Sequence, residues 1–172
     1  MMNREKFLAL WDHLRTLHGI TLRLVEALPD DKIDATPIPN MRSPKALVFH
    51  FCGQLMRDTA KGLISGEIRQ EDEAAMAAIR TKADLVKFVN DCWTEADAAI
   101  QKVTDAHFTA TVKTPWNFDM PGAMAWTIIG DEYLHHRGQL FAFVRALGAD
   151  VPMMWDTAHN ALPYRPKATA TV

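Results

Sequence analysis

Cysteine is nearly missing from this chain: Cys52 and Cys92 are the only two in 172 residues. One pair of thiols makes no disulfide framework. A chain of this length buries roughly 70% of its unfolded surface and needs no such staples. Both cysteines lie in apolar-periodic stretches and read as buried thiols rather than nucleophiles. An uninterrupted apolar run of membrane length is missing too. The N-terminal apolar stretch is broken by Asp12, His13 and Arg15, so it reads neither as a membrane span nor as a signal peptide. The expected location is the cytoplasm. Charge of one sign is not in excess either, with 19 Lys and Arg against 21 Asp and Glu and a net charge of −2. That balance leaves no basic footprint for nucleic acid and no polybasic patch for an acidic membrane. There is no glycine-rich phosphate loop, no nucleophile elbow and no CxxC pair. Without internal repeats, low-complexity runs or a domain boundary, the chain reads as one domain over 1–172, its core at about 4–156.

What is present is helical periodicity in four segments. From about Arg4 to Leu28, the residues Phe7, Leu10, Trp11, Leu14, Leu17, Leu24 and Val25 repeat at three- and four-residue steps, and Pro29 ends the run. A loop with Pro37 and Pro39 follows. Ser43 is a good N-cap with Pro44 at the first helical position, opening a second helix that runs to about Ile64 before Ser65-Gly66. A third helix is expected from about Lys82 to Val103, on the stripe Leu85, Val89, Cys92, Trp93, Ala96 and Ile100. Pro115 and Pro121 interrupt the next stretch, where Thr109 to Lys113 suits a short extended turn. The fourth helix is expected from near Gly122 to Leu147, with Gly148 as its C-cap. The tail from Ala158 to Val172 is expected to lie on the surface or fray. Four amphipathic helices without convincing strands imply an all-α fold, a four-helix bundle.

The chemistry is expected where two of these stripes turn polar. Along the fourth helix the seam reads Ile129, Glu132, His136, Gln139, Phe143 and Leu147, apolar at its ends and polar in the middle. Burying ionisable groups is costly unless they are paired or bound to a metal. Glu132 and His136 stand four residues apart and so share a helix face. On the second helix His50 and Gln54 interrupt Leu47, Phe51 and Leu55 in the same way. If the two helices face each other, two imidazoles and a carboxylate converge, a set suited to zinc, nickel or iron(II) with positions left open for water or substrate. The competing readings are a hydrogen-bonded core histidine for His50 and a surface ion pair for Glu132 and His136. A seam rotated by one position would instead bring in Asp131 and His135. His13, His18, His107 and His159 read as surface or capping residues, and Arg137 and Arg145 as solvated or paired with acids.

The stretch His135-His-Arg-Gly-Gln-Leu140, followed by Phe-Val-Arg-Ala-Leu-Gly and Val-Pro, resembles the last bundle helix of the DinB/YfiT-like superfamily. Leu28-Pro-Asp-Asp-Lys-Ile-Asp and Pro39-Asn-Met-Arg-Ser-Pro-Lys-Ala-Leu-Val-Phe-His50 resemble its first loop and second helix. The resemblance spans about residues 4–156. It implies a four-helix bundle, often a homodimer, with a metal triad of one histidine on the second helix and two histidines four apart on the last. His50 and His136 fall on two of those positions, and the third holds Glu132, a departure from the three-histidine pattern. His135 falls on the usual non-ligand neighbour. The expected cofactor is a divalent metal, zinc or nickel, with Gln54 and Gln139 behind the ligands or against substrate. The family's characterised activities imply a metal-dependent enzyme acting on a small molecule, by transfer to a low-molecular-weight thiol or by hydrolysis. The alternative is a non-catalytic bundle that binds metal or a small ligand. The sequence assigns no catalytic residue.

Overall fold

The computed structural model describes residues 1–167, and four long helices dominate it. Helix α1, Arg4–Ala27, starts where the Asn3 side chain accepts from the Lys6 N–H, and it buries Phe7, Trp11, Leu14 and Leu24 on one face. Helix α2 is continuous over 44–65. The Ser43 hydroxyl caps it at the Ala46 N–H, and Gly66, at φ 84°, ends it in the left-handed conformation. Its first turn (Pro44–Val48) and last turns (Thr59–Ser65) are α-helical, but Phe49–Asp58 between them is π-helical. Helix α3 is a short turn, Glu73–Ala77, capped by Asp72. Helix α4, Lys82–Ile100, opens on a capping box between Thr81 and Asp84. The expected end at Val103 is three residues late. Lys102 and Val103 bond back to Ala99 and Ile100 in a tighter turn, which still buries Val103.

Helix α5, Asp105–Thr109, leads to a two-stranded antiparallel ribbon, β1 (Thr111–Val112) with β2 (Met120–Pro121), where Thr111 pairs Pro121 and Val112 pairs Met120. No larger sheet occurs among the described residues. Helix α6 then spans 122–146. It begins with a 3₁₀ turn, Gly122–Met124, passes through a π stretch, Thr127–Asp131, and continues as α-helix over Glu132–Ala146.

The long helices close a ring. α1 packs on α4, α4 on the π stretch of α2, that stretch on α6, and α6 on α1. Phe7, Phe51, Tyr133 and Phe143 are among the largest wholly buried side chains. Trp11 and Trp93 stack with ring centroids 4.6 Å apart, and the Trp11 indole N–H donates to Asp97 at 2.8 Å. The tail is more firmly docked than its composition suggests. Asn160 and Tyr164 are buried, and Asn160 Nδ2 donates to the carbonyl oxygens of Thr16 and Tyr164 at 2.8 and 3.0 Å. The part of the expected tail beyond residue 167 lies outside the described residues. Among the described residues, no helix is long and apolar enough to cross a membrane.

Candidate functional site

His50 and His136 come together although they belong to different helices. His50 sits near the start of the π stretch of α2, and His136 one turn into the α-helical part of α6. Their rings meet edge to face, with centroids 5.2 Å apart. A π stretch inserts an extra residue into the helical ladder and widens the buried face. Here Phe51 to Met56 are all buried in succession, which leaves His50 on the rim rather than in the stripe that a regular helix would give. Phe51 in turn lies nearly parallel to the His136 ring, 6.1 Å away, and supports it from below.

The Nδ1 atoms of both histidines are occupied. His50 Nδ1 lies 2.6 Å from Glu71 Oε1, and His136 Nδ1 lies 3.1 Å from Gln139 Oε1. An oxygen of either kind accepts, so Nδ1 is the donor in each ring, and in the neutral form of a ring Nε2 carries the lone pair. His136 Nε2 faces Glu132 Oε2 at 3.6 Å, beyond hydrogen-bond length. Burial lowers the pKa of His136, with His50 and His135 acting in the same direction and Gln139 and Glu132 opposing. The ring is therefore biased toward its neutral, lone-pair-bearing form.

Glu71 carries no signal in the sequence. It lies in the connector between α2 and α3, and no helical period links it to His50. The connector is held in place by backbone bonds from Ile68 N–H to Lys113 O and from Lys113 N–H to Gly66 O. Gln139 does touch His136, and its amide nitrogen also meets His135 Nε2 at 2.9 Å. Gln54 is buried one turn beyond His50, its Nε2 without a hydrogen-bond partner among the described residues.

The structure differs from the sequence expectation in three places. The buried seam of α6 is not Ile129, Glu132, His136 and Gln139. Tyr133, Arg137, Leu140 and Val144 carry it with Ile129 and His136, while the Glu132 side chain is 50% exposed and Gln139 is half-buried. The π stretch just before Glu132 turns the face away from a regular 3.6-residue count. His18 is no surface residue: it is wholly buried, shares a 2.7 Å hydrogen bond with the Tyr133 hydroxyl, and burial drives its pKa down to about 3. Arg137 is not solvated, and it pairs with no acid among the described residues. It is 4% exposed, donates from Nη2 to the Met154 carbonyl at 3.0 Å, and lies over the Phe141 ring. The cysteines are buried as expected. Burial pushes the Cys52 thiol well above its ordinary value and Cys92 to about 12, so neither is a thiolate at neutral pH.

Among the described residues no three His, Cys, Asp or Glu side chains already stand close enough to hold a metal ion. Concavities of about 450 to 760 Å³ elsewhere on the surface are lined by other residues.

Such a fold and cluster define a mostly helical protein with two histidines in contact between two π-interrupted helices. The DinB superfamily model matches residues 13–150, and the chain belongs to that family. A DinB-like protein of Bacillus subtilis, YjoA, known from its crystal structure, is similar in fold. Its TM-score is 0.67 at 19% identity, over 85% of this chain and 96% of that one. No curated protein sequence matches this chain.

Proposed function

We propose that this chain is a DinB-like metal-dependent enzyme acting on a small molecule, with His50, His136 and Glu132 as ligands to a divalent ion, zinc or nickel. One observation carries the reading: the two imidazoles meet with Nδ1 of each turned to an oxygen, which leaves Nε2 of each as the available donor, and the His136 Nε2 lies 3.6 Å from the Glu132 carboxylate. That is the donor set and outer-shell support such ions take in proteins. Glu132 completes the set by turning about its own side-chain bonds, for which its half-exposed position leaves room. Glu71 and Gln139 orient the rings, and the buried Gln54 stands one turn on from His50, behind the ligands or against substrate. An ion there supplies Lewis acidity, which lowers the pKa of a thiol or a water and so serves thiol transfer or hydrolysis. In this reading the four long helices form the bundle typical of the family, and the chain works as a homodimer.

The second reading is a bundle that binds metal or a small ligand without turnover, favoured by the absence of a closed three-ligand arrangement among the described residues. Titration of zinc into the metal-free chain tests the first. One ion per chain is expected, lost in His50→Ala and His136→Ala. Unchanged uptake by both variants would remove this site from the proposal. Turnover of thiol or ester substrates by the loaded chain separates enzyme from binding protein.

A further inference from the structure

The far end of α6 carries an unexplained concentration of positive charge. Arg137 and Arg145 both approach the Phe141 ring, with guanidinium carbons 5.2 and 5.7 Å from its centroid. Three arginines elsewhere have carboxylate partners: Arg15 pairs with Asp12, Arg23 with Asp156 and Arg57 with Asp58. Neither Arg137 nor Arg145 forms an ion pair among the described residues. Arg137 is nine-tenths buried or more, and its Nε has no hydrogen-bond partner among the described residues. A buried cation without a counter-charge is costly, and burial already lowers the Arg137 pKa.

Beside this pair runs a groove of about 450 Å³, lined by Phe141, Arg145, Val151, Pro152, Met153 and Met154. Apart from Arg145 the named walls are apolar. The volume lies in the range of small-molecule sites, about 300–1,000 Å³. The Met154 carbonyl is tied to Arg137 Nη2, so the groove wall and the buried cation are one unit. Arg145 is exposed at the edge, where its planar fork is free to take a carboxylate.

We propose that this groove binds an amphipathic carboxylate, a carboxylic acid with a flexible apolar chain. Arg145 takes the head, Arg137 adds positive potential from beneath without touching it, and the adaptable side chains of Met153 and Met154 cover the chain. The site lies apart from the histidine cluster and does not depend on metal.

The test uses the full chain with methyl-labelled methionine, titrated with decanoate and with decan-1-ol. Decanoate is expected to shift the Met153 and Met154 methyl resonances and to bind about tenfold more tightly than the alcohol, as one charge-assisted hydrogen bond would give. Arg145→Gln should weaken decanoate about tenfold and leave decan-1-ol unchanged. The proposal is overturned if decanoate moves neither resonance, if acid and alcohol bind equally, or if Arg145→Gln binds decanoate as the parent does. It is also overturned if both methyls shift with protein concentration alone while light scattering shows a matching rise in mass, since a second copy would then cover the groove.

Discussion

His50 and His136 meet edge to face at 5.2 Å, and each is held from its outer side, His50 by the carboxylate of Glu71 and His136 by the amide of Gln139. The two supports differ in origin. Gln139 comes from the same helix as His136, three residues on, and is nearly fixed by helix geometry. Glu71 comes from a connector whose path depends on the bridge between Glu67 and Lys113, next to the β-ribbon. The orientation of His50 therefore depends on tertiary structure in a way that of His136 does not.

Glu71→Ala should expose that dependence. Losing the carboxylate behind His50 frees its ring and its tautomer. Zinc affinity is expected to fall by about 10–100-fold, as for other partners behind metal-binding histidines. Calorimetric titration reads this directly, and affinity equal to that of the parent would reduce Glu71 to a surface contact.

Acid should weaken the fold through His18. Burial takes its pKa from the ordinary 6.5 to about 3, so between these values the unfolded chain binds a proton that the folded chain refuses. The stabilisation is complete above the unfolded pKa and is lost as pH falls toward the folded one, at up to about 1.4 kcal/mol per pH unit. Urea unfolding at pH 7 and pH 4.5 should show a smaller loss for His18→Gln than for the parent. Identical losses would place the acid sensitivity elsewhere.

Tyr133→Phe removes the hydroxyl that meets His18 at 2.7 Å in the core. The ring still packs edge-on against Phe51, so the cost comes from the unpaired imidazole. A loss of about 1–3 kcal/mol is expected in denaturant unfolding. A neutral result would mean that His18 finds another partner.

Gly19→Ala tests the docking of the tail. A Cβ at this position would lie 2.5 Å from Asn160 Nδ2 and 2.6 Å from Tyr164 Cβ, so either the tail or α1 must move. The expected cost is about 1–3 kcal/mol, with faster proteolysis between residues 157 and 165. Unaltered protease resistance would show that the tail adjusts without leaving α1.

Much of the secondary structure was written into local sequence. Ser43-Pro44 starts α2, Thr81 and Asp84 start α4, and Gly66 and Gly148, both at positive φ, stand just past α2 and α6. Caps and breakers act within a few residues, so they can be read without knowing the fold. His50, Glu132 and His136 were also singled out by spacing and motif. The structure brings His50 and His136 into contact and stands Glu132 beside His136, at the rim and half exposed.

Tertiary structure decided what periodicity could not. The π stretches at Phe49–Asp58 and Thr127–Asp131 alter the angular step of the helix, so a count at 3.6 residues per turn placed Glu132 in the seam that belongs to Tyr133. Residue type alone suggests a surface or capping place for His18 and a solvated or acid-paired one for Arg137, whereas their burial follows from which helices and which tail segment cover them. Glu71 reaches His50 across a connector with no period at all. Helix starts and stops are local free-energy choices, while burial and side-chain partnership depend on surfaces that meet only after the chain has packed.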